Sequence, residues 1–184
     1  MEAPKSACPT CGFAFAWNDS RCGHCHHSDS PPPTEVDRDD FIEGRILNKV
    51  GRNKLPAGRT WRFRDIAPEM AEEIRRIAGY QIRGRPVLAF IDSPTRWTLL
   101  TSREVLSWDE GQLREMNIGN MVSVDSESMP PPEATLKEIE QWKSSWEYLR
   151  VVDRQGQAAS IWVPCGGEAY ALWNILLPFA QGNQ

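Results

Sequence analysis

The sequence predicts an α+β protein in which a small cysteine-rich N-terminal unit precedes a larger domain of antiparallel strands with a C-terminal helix. Three observations lead to this fold class. Four of the five cysteines lie within the first 25 residues, apolar runs alternate with turn residues over 87–124, and an amphipathic stretch begins at Glu168. The predicted organisation is an N-terminal unit at 1–27, a linker at 28–40, a basic and partly helical segment packing on the next domain at 41–86, and the β domain at 87–184.

The N-terminal unit contains two Cys-x-x-Cys knuckles, one at Cys8 and Cys11 and the other at Cys22 and Cys25. A two-residue spacer lets both thiolates of a knuckle reach one ion, and two knuckles complete a tetrahedral shell of four sulfurs. Such a closed shell is structural, because catalytic zinc keeps one position open for water or substrate. A unit this short cannot build an adequate core, so coordination would supply folding free energy on the order of 10 kcal/mol. The spacing predicts one structural Zn²⁺.

The run Cys8-Pro9-Thr10-Cys11-Gly12, followed after ten residues by Cys22-Gly23-His24-Cys25, resembles the short zinc-ribbon family over residues 8–27. The second knuckle departs from the family pattern, with Gly23 where Pro is common and His26 where Gly is common. The four thiolates already fill the shell, so the three histidines of this unit are interpreted as lying outside it. Zinc ribbons occur on nucleic-acid-binding proteins and on protein-interaction modules, and the resemblance implies either function.

Residues 28–40 are predicted to be a semi-extended linker, because Pro31–Pro33 and the acidic positions offer nothing to bury. Asp37, Asp39 and Asp40 are interpreted as solvated linker charges, since nothing nearby in the sequence fixes their carboxylates in space.

Residues 41–86 are predicted to contain two helices and an edge strand. Phe41–Val50 has apolar residues at helical spacing, and Trp61–Phe63 has the composition of a short strand. The second helix is predicted at Asp65–Ala78, with Asp65 as its N-cap and Gly79 as its stop.

The same segment carries a concentrated positive charge. Phe41–Arg85 has eleven Lys and Arg against five Asp and Glu, whereas the rest of the chain has ten against twenty. Such a local field attracts nucleic acid, an anionic membrane surface or an acidic partner, and the alternative is a solvated face that pairs with the acidic C-terminal half. The candidate phosphate contacts are Arg52, Lys54, Arg59 and Arg62.

The β domain is predicted from runs of β-branched and aromatic residues separated by turn residues. These strands are Val87–Ile91, Trp97–Thr101, Glu104–Trp108, Leu113–Met116, Ile118–Val124, Tyr148–Val152 and Ala158–Val163. Asp125–Glu133 is predicted to be a loop, and Ala134–Trp146 fits either a helix or a bent strand. Glu168–Phe179 has the spacing of an amphipathic helix, and the lone Cys165 before it is interpreted as a packing residue.

The strand order with its terminal helix resembles the pleckstrin-homology-like superfold, including its bacterial members, over residues 87–181. The resemblance implies a partly open barrel that the C-terminal helix closes at one end, and a function in binding peptides, proteins or phosphoinositides. Phosphoinositide binders of this family carry a Lys/Arg cluster between the first two strands, where this chain has Arg96 alone. Protein binding is therefore what the resemblance implies.

Taken together, these features predict a non-enzymatic, zinc-binding interaction or adaptor protein whose partner is another protein. An enzyme is the least favoured class, because no glycine-rich phosphate loop or Ser/His/Asp set is visible. The alternative is a nucleic-acid-associated regulatory protein that uses the zinc ribbon and residues 45–64, with Trp61 for base stacking. The chain has no apolar run long enough to span a bilayer and no secretory signal, so a cytoplasmic location is expected.

Overall fold

The computed structural model describes residues 17–18, 21–22, 35–79, 82–128, 133 and 135–183 of this 184-residue chain. Its helices are α1 (Glu35–Arg52), α2 (Pro68–Ala78), α3 (Leu136–Ser144) and α4 (Gly167–Gly182). Its strands are β1 (Trp17–Asn18), β2 (Arg21–Cys22), β3 (Thr60–Arg62), β4 (Pro86–Ser93), β5 (Arg96–Thr101), β6 (Glu104–Asp109), β7 (Gln112–Asn117), β8 (Met121–Ser126), β9 (Tyr148–Asp153) and β10 (Ala158–Trp162). The mixture of helices and antiparallel strands with a C-terminal helix confirms the coarse fold class. No helix in the described part of the chain has both the length and the apolar character to cross a membrane.

The β domain consists of two open antiparallel sheets, besides the short β1–β2 pair. The first has the order β3-β4-β5-β6-β7 and the second the order β10-β9-β8. The predicted meander is confirmed from β4 to β7. Its last segment departs from that series, because the chain turns at Asn117–Asn120 and β8 pairs with β9 instead of β7.

Buried side-chain hydrogen bonds join the two sheets where β10 meets β5 and β6. The hydroxyl oxygens of Thr98 and Ser107 lie 2.9 Å apart, and both side chains are buried. The backbone N–H of Trp162 donates to Ser107 Oγ at 3.1 Å, and the Thr98 hydroxyl donates to the Trp162 carbonyl. Since buried backbone groups need partners, these hydroxyls let β10 pack against strands with which it forms no ladder.

The five-stranded sheet is covered on both faces, as the continuous apolar run of β4 predicts. Leu88 and Phe90 pack in a core with α1 and α4, whereas Ala89, between them, packs in a second core with Ile74 of α2. Alternation along the strand sends neighbouring side chains to opposite faces, so α2 lies on one side of the sheet and α1 and α4 on the other.

The predicted linker is wrong for residues 35–40, which form the start of α1. Asp39 lies in this turn, and Arg103 binds it in a bidentate pair with N–O distances of 2.9 and 3.0 Å. Ser102 donates to the same carboxylate at 2.7 Å, and Asp40 forms an ion pair with Arg85. The interpretation as unfixed linker charges is therefore wrong for Asp39 and Asp40, whose partners are distant in sequence, and the side chain of Asp37 lies outside the description.

Three further predictions are corrected or decided. The second helix begins at Pro68 after Ala67 as N-cap, whereas Asp65 belongs to a preceding 3₁₀ turn; Gly79 does end the helix, with φ 55°. Residues 136–144 are helical, so the helix alternative for Ala134–Trp146 is correct. Cys165 is exposed and is therefore not a packing residue.

Candidate interaction surfaces

A wide groove runs beside α2 on its face of the five-stranded sheet. Its volume is about 730 Å³. It is lined by Phe63, Arg64, Ile66, Pro68, Ala71, Glu72, Arg75 and Arg76. The floor is apolar because Phe63 and Ala71 are buried and belong to the core beneath α2. The rim carries three arginines and one carboxylate, so the groove combines an apolar floor with a positive edge.

The three rim arginines differ in how they are held. Arg76 forks onto Glu73 with N–O distances of 2.7 and 2.6 Å, and this hydrogen bonding raises the pKa of Arg76 and lowers that of Glu73. The Arg75 guanidinium carbon lies 5.4 Å from the centre of the Phe63 ring, within range of a cation–π contact. Arg64 is exposed and lies 3.6 Å from Asp65. Arg64 and Arg75 therefore present most of the positive charge that a ligand would meet.

Trp61 lies on the same side of the sheet as this groove. It stands opposite Ala89 in the β3–β4 pairing, and residues directly opposite each other point to the same face. Ala89 belongs to the α2 core, and Trp61 is 46% exposed at the edge strand. A half-exposed Trp next to arginines is the composition that protein interfaces favour.

The structure places the four predicted phosphate contacts on different elements. Arg52 ends α1 and lines a cleft against α4, whereas Lys54 lies in the following turn with φ 57°. Arg59 forms a 2.5 Å ion pair with Asp92, and Arg62 lies half-buried in β3. The four residues thus belong to α1, to the turn after it, to the segment before β3 and to β3 itself.

The cleft that Arg52 lines also contains cationic residues that sequence reasoning did not select as contacts. Arg45, Lys49 and Arg52 come from α1, at a spacing that places them along one side of the helix. Asn48 of α1 and Ile175, Pro178 and Phe179 of α4 complete its lining. The helical spacing was visible in the sequence, but the approach of α4 was not.

Arg96, at the position where the pleckstrin-homology resemblance would imply phosphoinositide contact, belongs to a network between the sheets. Its Nε donates to Asp109 at 2.8 Å, and a second nitrogen donates to the Tyr148 hydroxyl at 3.0 Å. Tyr148 donates to the other oxygen of Asp109 at 2.7 Å. Burial acts to raise the pKa of Asp109, but hydrogen bonds from Tyr148 and Arg96 outweigh it and the net pKa is lowered. This arginine thus serves to join the two sheets.

A cluster of four aromatic side chains fixes α3 against α4. Trp146 meets Trp142 and Trp173 edge-on at centroid distances of 5.0 and 6.2 Å, and Tyr170 stacks on Trp173 at 5.5 Å. The indole N–H of Trp173 donates to the carbonyl of Val124 and that of Trp142 donates to the Ser128 hydroxyl. These internal hydrogen bonds indicate a packing role for the cluster.

The predicted zinc ligands Cys8, Cys11 and Cys25 lie outside the described residues. Cys22 ends β2, where its backbone stands opposite Trp17 of β1, and its side chain also lies outside the description. Within the ranges that the structure describes, no group of three or more His, Cys, Asp or Glu side chains is placed to hold a metal ion.

Comparison of the chain with protein-family models, curated proteins and solved structures finds no match. What the protein binds is therefore inferred from its own surfaces. The groove beside α2 and the cleft between α1 and α4 both combine a concave shape with unbalanced charge.

Proposed function

We propose that this protein is a non-enzymatic interaction module that binds an acidic segment of another protein in the groove beside α2. One observation carries this proposal: the exposed Trp61 and an apolar-floored groove with a positive rim lie on the same side of one sheet. Trp and Arg are the residues that most often dominate the free energy of protein association. An adaptor needs such a surface and no reacting groups.

The dimensions and charges of the groove fit a peptide with mixed chemistry. A volume of about 730 Å³ falls within the range of sites that enclose ligands. An apolar side chain of the partner would cover Phe63 and Ile66, while its carboxylates would approach Arg64 and Arg75. Charge complementarity of this kind steers encounter and excludes basic segments.

The N-terminal unit is proposed to hold one structural Zn²⁺ through Cys8, Cys11, Cys22 and Cys25. The chemistry of the donor set supports this, because four thiolates complete a tetrahedral shell. The antiparallel pairing of β1 with β2 also supports it, since it reverses the chain between the knuckles. Bound zinc would fold this unit and supply no reactive position.

The β domain is proposed to be pleckstrin-homology-like. The succession of β4–β7 in one sheet, β8–β10 in another and α4 after them supports this assignment. The α4 helix packs against β8, as a helix closing one end of a partly open barrel would. Members of that superfold mostly bind peptides, proteins or phosphoinositides, and the first two agree with the proposed function.

Nucleic-acid binding is the less favoured function. It requires a continuous positive track with stacking platforms, whereas Arg59 is paired with Asp92 and the four candidate contacts come from different elements. Trp61 lies on the α2 side of the sheet, opposite the cleft that contains Arg52.

The groove is tested with the full chain and a fluorescent Asp/Glu-rich peptide that carries one Leu. We expect micromolar binding at low salt, weakened about tenfold or more by Trp61→Ala and by the double variant Arg64→Gln/Arg75→Gln. The matched control is Lys137→Gln/Arg150→Gln, which removes two exposed charges elsewhere and should leave binding unchanged. Equal binding of the Asn/Gln version of the peptide, or unweakened binding by the groove variants, would refute the proposal.

A further inference from the structure

The cleft between α1 and α4 concentrates positive charge at one point of the surface. Ile46 and Val50 of α1 are fully buried against the core, which fixes the rotation of the helix. Arg45, Lys49 and Arg52 consequently lie along its flank, facing α4. The core packing of α1 thus determines which of its side chains line the cleft.

Most of this charge is not balanced by carboxylates. Among the described residues, no Asp or Glu lines the cleft, and neither Lys49 nor Arg52 forms an ion pair. Other arginines of the protein are paired, as Arg103 is with Asp39 and Arg85 with Asp40. Cations gathered in one cleft repel each other, and an anion placed among them would relieve that repulsion.

The α4 wall of the cleft is apolar. Ile175, Pro178 and Phe179 form it, and the guanidinium carbon of Arg45 lies 4.9 Å from the centre of the Phe179 ring. A wall of low polarity strengthens the attraction between the cations and an anion, because it excludes the water that would screen them.

The size of the cleft limits what enters it. Its volume is about 120 Å³. Because a water molecule takes about 30 Å³ of the liquid, this is the space of roughly four water molecules. Sites that enclose a whole small molecule are larger, from about 300 Å³. The cleft therefore accepts one compact group, while the rest of the ligand lies along its mouth.

We propose that this cleft binds the phosphate group of a small phosphorylated molecule, a site separate from the peptide groove on the opposite side of the sheet. Lys49 and Arg52 contact the phosphate oxygens, since a guanidinium fork matches phosphate geometry and an ammonium acts as a point charge. The organic part of the ligand lies along the mouth of the cleft against the half-buried Pro178, because Phe179 is buried and Arg45 lies over its ring. The two cations Lys49 and Arg52 suit a dianion better than a monoanionic carboxylate.

The test uses the full chain and calorimetric titration with phenyl phosphate, inorganic phosphate and benzoate. We expect phenyl phosphate to bind more tightly than inorganic phosphate because of the apolar wall, and benzoate to bind more weakly than either. The double variant Lys49→Gln/Arg52→Gln should weaken phenyl phosphate binding by about tenfold or more. The charge-conserving Lys49→Arg/Arg52→Lys variant should retain most of the affinity, which separates charge from fold.

The control variant Lys137→Gln/Arg150→Gln removes two exposed cations outside the cleft and should bind phenyl phosphate as the parent does. Absence of phenyl phosphate binding, or equal loss in the control variant, would overturn the proposal. A further outcome is that a single-stranded oligonucleotide displaces phenyl phosphate when its phosphate groups are less concentrated than the phenyl phosphate. That result would overturn the proposal in favour of nucleic-acid binding. Peptide binding in the α2 groove is unaffected by any of these outcomes, so the two proposals fail independently.

Discussion

Asp109 is a buried carboxylate at the contact between the two sheets. Its side chain is 3% exposed, and both of its oxygens accept hydrogen bonds from groups that remain partly accessible, Arg96 and Tyr148. Burying a carboxylate is costly unless hydrogen bonds compensate it, and here an arginine and a phenol both do.

Replacing Asp109 with Ala should lower the free energy of unfolding by about 3 kcal/mol, at the low end for a broken buried pair because Arg96 regains some water. Urea denaturation measures this value. The matched control is Asp92→Ala, which removes an exposed pair with Arg59 and should cost roughly 0–1 kcal/mol. Similar losses in the two variants would show that Asp109 does not hold the sheets together.

At the scale of elements, α1 depends on an anchor at its first turns. Asp39 accepts the fork of Arg103 and the hydroxyl of Ser102, and both partners come from the β5–β6 connection. The side chain of Asp39 is 15% exposed, whereas that of Asp40 is 56% exposed. The anchor therefore belongs chiefly to Asp39.

The substitution Asp39→Asn should cost about 1–3 kcal/mol and increase amide exchange in the first two turns of α1, since a charge-assisted pair is lost. Asp40→Asn, its exposed neighbour, should cost roughly 0–1 kcal/mol. The Arg103 hydrogen bond lowers the pKa of Asp39 below its ordinary value of 3.8, so the folded state holds this proton less tightly than the unfolded state.

The stabilisation by Asp39 is therefore fully present above that ordinary value and is lost as pH falls through the lower folded value. Unfolding free energies measured from about pH 6 to pH 2 should fall less steeply in Asp39→Asn than in the parent. An unchanged acid slope together with unchanged amide exchange would contradict the anchor.

For the whole molecule, the boundary between the N-terminal unit and the body should lie before Glu35 and not at residue 40. We expect a 35–184 fragment to unfold cooperatively, at a midpoint close to that of the zinc-loaded full chain. A 41–184 fragment lacks Asp39 and Asp40, so Arg103 and Arg85 lose these ion pairs, and the fragment should be less stable. Thermal unfolding followed by circular dichroism compares the three chains.

The full chain and the 35–184 fragment also test whether the N-terminal unit binds zinc. Elemental analysis should find one equivalent of zinc in the full chain, less in Cys8→Ser and Cys22→Ser, and none in 35–184. A chelator should remove the zinc without shifting the main unfolding transition, because the body has its own core. Zinc in the 35–184 fragment would show that the metal site is not confined to the N-terminal unit. Loss of the main transition with the chelator would show that the body does not fold independently of the metal.

Local sequence predicted most secondary-structure elements because their causes are local. The two-residue spacing at Ser102-Arg103 determines the β5–β6 turn, and Gly79 ends α2. The sequence left a helix and a bent strand as alternatives for the segment that forms α3. The pair Thr135 and Glu138 forms a capping box, which is a local signal for the helix. The start of α1 was missed because Pro31–Pro33 and the acidic run suggested linker composition.

The sequence by itself determined the order of helices and strands, the spacing of the four N-terminal thiolates and the excess of positive charge in residues 41–85. Tertiary structure decided how those charges are used. Arg59 pairs with a residue 33 positions away, and Arg103 with one 64 positions away. The packing of α4 against α1 forms the cleft that Arg45, Lys49 and Arg52 line. Periodicity and turn chemistry act over a few residues, whereas the pairing of side chains depends on which faces the core brings together.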